Sequence, residues 1–272
     1  MNRRKIFSLV ILLIVLFASV AVGGQLTSVT VTPSNNAAGA PTIYTFDFTT
    51  SATGNGVDVG IPTDGKIVII FPAGFDLTSA ELAQSTNLAV LDGGLTTSVS
   101  GDTIFVSRDG TGSAIAGNTT VGLKVAVVGN HQTAATTYQV QMETRLADDT
   151  QIDTGTSANF TIIHGSLATF NFNSIANQTA GSGFAITITA VDNYGNTVET
   201  FNSAASLSDL SGSVSPTTTT NFSSGVWSGT VVINQSYQND NITATYQNIA
   251  GSSNNFDVSA GSLDHFVFQT IA

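Results

Sequence analysis

A stretch of the chain recurs 96 positions further on (253 − 157), and this recurrence constrains the fold more than any other feature. Ser157-Ala158-Asn159-Phe160 leads into Gly165-Ser166-Leu167, Phe170, Phe172 and Ile175-Ala176. Ser253-Asn254-Asn255-Phe256 leads into Gly261-Ser262-Leu263, Phe266, Phe268 and Ile271-Ala272. Ten of these 20 aligned positions are identical. A constant period near 100 residues implies tandem units of one kind. A unit of that size is long enough for a sandwich of seven or eight short strands. The second copy stops at Ala272, which reads as the truncated start of a further unit.

The residues between the repeats say the same. Tyr44, Phe46 and Phe48 alternate with Thr45, Asp47 and Thr49, and Tyr138, Val140 and Met142 alternate with Gln139, Gln141 and Glu143. Phe184, Ile186 and Ile188 alternate with Ala185, Thr187 and Thr189. A period of two in β-branched and aromatic residues is the pattern of half-buried strands. The unbroken run Ile67-Val68-Ile69-Ile70-Phe71 predicts a strand covered on both faces. One short helix is expected after residue 24, because Thr78-Ser79-Ala80-Glu81 fits a capping box.

The N-terminus reads as an export signal. Arg3, Arg4 and Lys5 precede an apolar run at residues 6–22, followed by the small residues Gly23 and Gly24. The competing reading is an uncleaved anchor, since 17 residues reach the short end of the spanning range. Both readings put the remainder outside the cytoplasm. Beyond the signal stand all 18 acids but only Lys66, Arg108, Lys124 and Arg145 as bases. That balance argues against nucleic acid or an anionic membrane as partner. Cysteine is absent, so the fold must rest on core burial without disulfides.

The expected organisation is a signal at 1–24, a larger sandwich at 25–164, a second sandwich at 165–260, and the start of another repeat at 261–272. Strands are expected in the first near 26–32, 42–49, 66–71, 87–91, 95–99, 103–107, 120–128, 136–145 and 157–163. In the second they are expected near 167–174, 184–191, 197–201, 204–209, 213–222, 226–235, 241–247 and 253–258. The joints between Phe160 and Leu167 and between Phe256 and Leu263 are short and contain no proline, which predicts a semi-rigid rod.

Val191-Asp192-Asn193-Tyr194-Gly195-Asn196-Thr197-Val198 resembles the turn after the second strand of bacterial immunoglobulin-like repeats, the domains of invasin- and intimin-type adhesins. Gly225-Val226-Trp227-Ser228-Gly229-Thr230-Val231 is similar to a late strand of those repeats, and Asn255-Phe256-Asp257-Val258 with Gly261-Ser262-Leu263 to a joint between copies. The resemblance covers residues 165–272 well and the first unit weakly. It implies an all-β fold of tandem immunoglobulin-like β-sandwiches, no catalysis, and service as stalk or adhesive surface. Independently of it, Asp192 can accept N–H bonds two residues on, Gly195 can take a positive φ, and Asn196 tolerates left-handed geometry, which makes a structural turn.

For metal, Asp148, Asp149 and Asp153 put three carboxylates within six residues, the oxygen-rich composition calcium requires; the plain alternative is a hairpin turn. Lys66 or Lys124 with Glu143 is the one arrangement that suggests an amide cross-link. His131, His164 and His265 lie far apart, and no nucleophile elbow, phosphate loop or two-histidine motif occurs, so no catalytic residue and no cofactor other than calcium is assigned. The single tryptophan, Trp227, shares a strand face with Val231 and Ile233 and is expected in the core. The sequence therefore reads as a non-catalytic, extracellular structural or adhesion protein. Its expected partners are a surface ligand or a host or cell-envelope glycan, and neighbouring modules of the same chain. The alternatives are a glycan-binding or spacer module appended to a secreted hydrolase, and a surface-layer lattice subunit.

Overall fold

A computed structural model describes residues 23–52, 59–85 and 90–262. The signal at 1–22 and the repeat start at 263–272 lie outside the described residues. The fold is all-β, and no helix forms among the described residues.

The first core lies between two sheets. One has six strands in the order Gly24–Gln25, Gln151–Thr156, Gln141–Arg145, Lys66–Ile70, Thr103–Arg108, Leu95–Ser100. The other has four, in the order Thr27–Pro33, Pro41–Thr49, Thr120–Gly129, Glu81–Ser85. Alternation determines which residues meet. Ile67, Ile69, Ile104, Val106 and Met142 on the first sheet join Tyr44, Phe46, Phe48, Leu123 and Val125 on the second in one cluster. Tyr44 and Phe71 meet edge-on, with ring centroids 5.2 Å apart. Arg108 is also buried in this region. Its guanidinium donates to the Ile61, Pro62, Asp92 and Ser113 carbonyls and to the Asp92 carboxylate, tying three loops together.

The second core takes its residues from 170–258. Thr169–Phe172, Gly183–Val191, Val226–Ile233 and Val214–Ser215 form one sheet. Ser206–Asp209, Ile242–Tyr246 and Ile249–Ser252 form another, and Gln178–Thr179, Phe256–Ser259 and Tyr237–Asp240 a third. Trp227 packs inside, its indole N–H donating to Thr220 Oγ1 at 3.0 Å.

Several expectations are corrected. Thr78 begins no helix. Asp76 Oδ1 accepts from both Thr78 N and Thr78 Oγ1, and Glu81 instead opens the edge strand Glu81–Ser85, paired to Thr120–Gly129. The turn chemistry of Asp76 and the pairing partner outcompeted a local helical preference. The expected 136–145 strand is two strands. Ala135–Tyr138 pairs with Phe160–Ile162, and Gln141–Arg145 pairs with Lys66–Ile70 in a different sheet, a switch sandwiches use at their corners. At 197–201 only an isolated bridge from Thr197 to Val191 forms, and at 213–222 only Val214–Ser215 is strand. Gln151–Thr156 and Ile249–Ser252 are strands that the alternation did not signal. The 87–91 strand falls largely outside the described residues, with Leu91 in a bend.

The sequence repeat has a structural counterpart at that sheet switch. Val140 N donates to Ser157 Oγ at 3.0 Å, and Ser157 N returns to Val140 O at 2.9 Å. In the second core, Ile242 N donates to Ser253 Oγ at 3.0 Å, and Ser253 N returns to Ile242 O at 2.9 Å. Each serine thus satisfies the backbone where one strand leaves its sheet.

Asp240, next to the second switch, is fully buried. Its Oδ1 accepts from Leu210 N and Asn241 N, while Oδ2 has no partner among the described residues. Burial first, and then the neighbouring Asp209 carboxylate, push its pKa above the usual carboxylate range. A raised folded value means that stability is fully present below the unfolded pKa and is lost as pH rises through the folded one. Asp240→Asn removes that charge and turns a carboxylate oxygen into an N–H that the neighbouring Asp209 carboxylate can accept. It should stabilise the protein by about 1 kcal/mol at neutral pH and by less at pH 4, read from urea midpoints at both values.

Candidate functional site

The feature that organises both cores is the joint between them. On the first core its surface is made by the loops at 35–40 and 130–134. Buried Asn130 fixes both. Its Oδ1 accepts from Tyr44 Oη at 2.6 Å, its Nδ2 donates to the Asn35 and Ala37 carbonyls at 2.8 Å each, and its N donates to Ala40 O. His131 stacks beside Phe75 and Tyr138, and its Nδ1 accepts from Thr133 N at 2.8 Å. These bonds leave Gln132 O and Ala134 N facing the second core.

On the second core the joint is the turn after Gly183–Val191. Gly195 has φ +83°. Asp192, 3 % exposed, accepts at Oδ1 from Tyr194 N and Asn196 N, both at 2.9 Å. Its Oδ2 accepts from Asn196 Nδ2 at 2.9 Å and from Gly165 N, in the linker, at 2.7 Å. Burial pushes the Asp192 carboxyl up, but the side-chain and backbone N–H donors outweigh it and hold its pKa below the usual value. The stability it contributes is therefore present above the ordinary carboxylate pKa and is lost as pH falls through the lowered one.

Asn196 completes the clasp. Its second Nδ2 hydrogen goes to Gln132 O at 2.7 Å, and its Oδ1 accepts from Ala134 N at 2.9 Å. Three of the side chain's four hydrogen-bonding capacities are used, two of them on the other core. Tyr194 lies over Gly39, where any Cβ would run into the phenol ring; Gly39 has φ +66°. The linker adds a parallel bridge from Ala37 to Ile163. Two clefts flank the clasp. One of about 440 Å³ is lined by Ala134, Thr136, Ile163, His164, Asn196 and Glu199 among others. The other, of about 610 Å³, runs from Ala37 and Leu167 to Phe201 and Tyr246. Between them, the ring nitrogens of His164 face the Gly165 carbonyl at 2.7 Å and the Thr200 hydroxyl at 3.4 Å.

The sequence singled out Asp192, Gly195 and Asn196 as a turn. What it missed is that the turn reaches another core. Gln132, Ala134 and Gly39 contribute backbone atoms and open space, and no side-chain pattern marks such partners.

The acidic stretch at 148–153 is placed differently from a ligand set. Asp148 and Asp149 sit in the hairpin turn before Gln151–Thr156. Asp148 Oδ1 accepts from Thr150 N at 3.0 Å, and Asp149 pairs with Lys66 Nζ at 2.7 Å. Asp153 points inward, fully buried, and accepts from Ser51 N and Ser51 Oγ. Among the described residues no group of three or more His, Cys, Asp or Glu side chains converges on one point. Glu143, the acid of the cross-link reading, is held by Arg145 through Nε at 2.8 Å and Nη2 at 2.6 Å.

No protein-family model matches the chain, and no curated protein matches it. Solved structures that resemble it include BcpA, the major pilin subunit of Bacillus cereus, at 9 % identity and a TM-score of 0.28, over 88 % of this chain and 69 % of that one. A variant of the same pilin is covered over 65 % of its length, less than two thirds. Domains D2 and D3 of the major pilin SpaD from Corynebacterium diphtheriae resemble it at 9 % identity and a TM-score of 0.33, over 81 % of this chain and 82 % of that one. The seventh ScaB type I cohesin from Pseudobacteroides cellulosolvens does so at 16 % and 0.27, over 52 % and 92 %. Likeness this distant leaves the function to be argued from the chain itself.

Proposed function

We propose that the protein is a non-catalytic extracellular structural or adhesion protein, a semi-rigid stalk in which residues 25–164 and 165–260 are successive β-sandwich modules. The observation that carries this reading is the joint. A side-chain amide bonds the backbone of the other core through both its oxygen and its nitrogen, and a buried carboxylate binds the linker N–H, which fixes the angle between two separate cores. A catalytic cleft needs polar groups converging on one reacting atom. Here the polar groups of the joint satisfy one another. The glycan-binding alternative draws little support from Trp227, the only tryptophan, because its ring is buried.

The test is small-angle scattering on the exported protein. Two sandwiches in line, with strands of about 6–10 residues and end loops, should span roughly 80–90 Å. Calcium should leave that dimension unchanged, since the carboxylates at 148–153 are engaged separately. A compact particle of about half that length would overturn the stalk, and a calcium-dependent lengthening would return the acidic turn to the ligand reading.

A further inference from the structure

The far end of the second core is built like the end of the first that receives the clasp. In the first core, Ala38 N donates to Ile163 O at 2.8 Å, Gly39 N to His131 O at 3.2 Å, and Ala40 N to Ala37 O at 3.2 Å. In the second, Ala180 N donates to Ser259 O at 2.9 Å, Gly181 N to Ile233 O at 2.9 Å, and Ser182 N to Thr179 O at 3.1 Å. Both glycines have positive φ, +66° and +79°. The strand registers agree: Tyr138 pairs with Phe160 and Ala135 with Ile162, as Asp240 pairs with Phe256 and Tyr237 with Val258. Superposing these relations places Gly181 where Gly39 is, Asn234 where Gln132 is, and Ser236 where Ala134 is.

The two ends differ in occupancy. The space over Gly39 is filled by Tyr194, whereas a Cβ on Gly181 would meet nothing within 4 Å among the described residues. Ala134 N is bonded to Asn196, whereas Ser236 N is unpaired among the described residues. Gly261-Ser262 leaves this end as Gly165-Ser166 leaves the other, and Gly165 N is the linker donor that Asp192 binds.

We infer that Gly181, the Asn234 carbonyl and the Ser236 N–H form a second socket, whose occupant is the Asp-x-x-Gly-Asn turn of another module of this chain's own kind. The inference rests on the stalk reading and adds the docking geometry of the next joint. In the socket the incoming asparagine bonds Ser236 N and Asn234 O, and the tyrosine of the turn covers Gly181.

The absence of cysteine makes the test direct. A chain is built with a copy of residues 165–260 placed after Ala260. Cysteine pairs are introduced at Ala40→Cys with Asn193→Cys for the existing joint, whose positions line one cleft, and at Ser182→Cys with Asn193→Cys of the added copy for the new one. A short bismaleimide should link both pairs at rates within about threefold of each other, since both joints impose a similar effective concentration. Ser236→Pro, which removes the N–H, should slow only the second pair while the urea midpoint stays in place. If the first pair links and the second is slower by tenfold or more, the socket is overturned and the first joint stands. If neither links, the stalk reading fails with it.

Discussion

Replacing Trp227 by alanine is expected to cost about 3–5 kcal/mol. The indole is 7 % exposed and belongs to the cluster with Phe170, Ile188, Phe222 and Ile242. Its strand partner Ile188 packs on the same face, and Gly229, two residues on, has no side chain because the indole occupies that space. Truncation loses the transfer energy of the ring, opens a cavity between sheets joined on several sides, and leaves Thr220 without its donor. The measurement is urea unfolding followed by far-ultraviolet circular dichroism, because the mutation removes the only tryptophan. If the first core unfolds independently, its transition stays in place while that of the second moves. A shift worth less than about 0.5 kcal/mol would put Trp227 on a surface instead.

Most of the fold was legible because alternation and burial are the same fact. Pro41–Thr49, Lys66–Ile70, Gly183–Val191 and Val226–Ile233 came out within a residue or two of their expected limits. The failures have distinct causes. Asp148, Asp149 and Asp153 read together as calcium candidates or a hairpin turn, yet Asp153 is a buried residue of the strand Gln151–Thr156, bonded to Ser51. Ile249–Ser252 alternates weakly, and Gly251 is required there because a Cβ would strike the Phe170 backbone. The 136–145 run has unbroken periodicity, so its change of sheet at Val140 is visible only through Ser157, 17 residues away.

The candidate site was legible only in half. Asp192, Gly195 and Asn196 announce a turn through their own chemistry, and that chemistry is local. The contacts that turn it into a clasp are with backbone atoms 62 and 64 residues distant, which carry no sequence signature. Arg108 shows the same limit. Counted only as one of the four bases beyond the signal, it is a buried hub for carbonyls from three loops.

Asn196→Asp should open the joint while leaving both cores folded, because it exchanges an amide nitrogen for an oxygen at one atom. The native Nδ2 donates to Asp192 Oδ2 and to Gln132 O. A carboxylate there faces a second carboxylate and a carbonyl with no hydrogen to offer either, so two bonds become two repulsions. The loss at the joint should be about 1–3 kcal/mol, chiefly the cost of leaving the buried Asp192 carboxylate short of a donor and beside a like charge, since Gln132 is exposed. Asn196→Ala, which removes the same bonds without adding charge, should cost less. Asp192→Ala should differ from both, since it also strands Tyr194 N and Asn196 N inside the turn and so lowers the urea midpoint of the second core. In the native protein the same clasp should loosen in acid, as pH falls below the ordinary carboxylate range through the lowered Asp192 pKa. Scattering reads the joint and denaturation reads the cores. An Asn196→Asp protein with native length and native cleavage resistance at residues 163–166 would mean that the linker alone sets the angle, and that the clasp only decorates it.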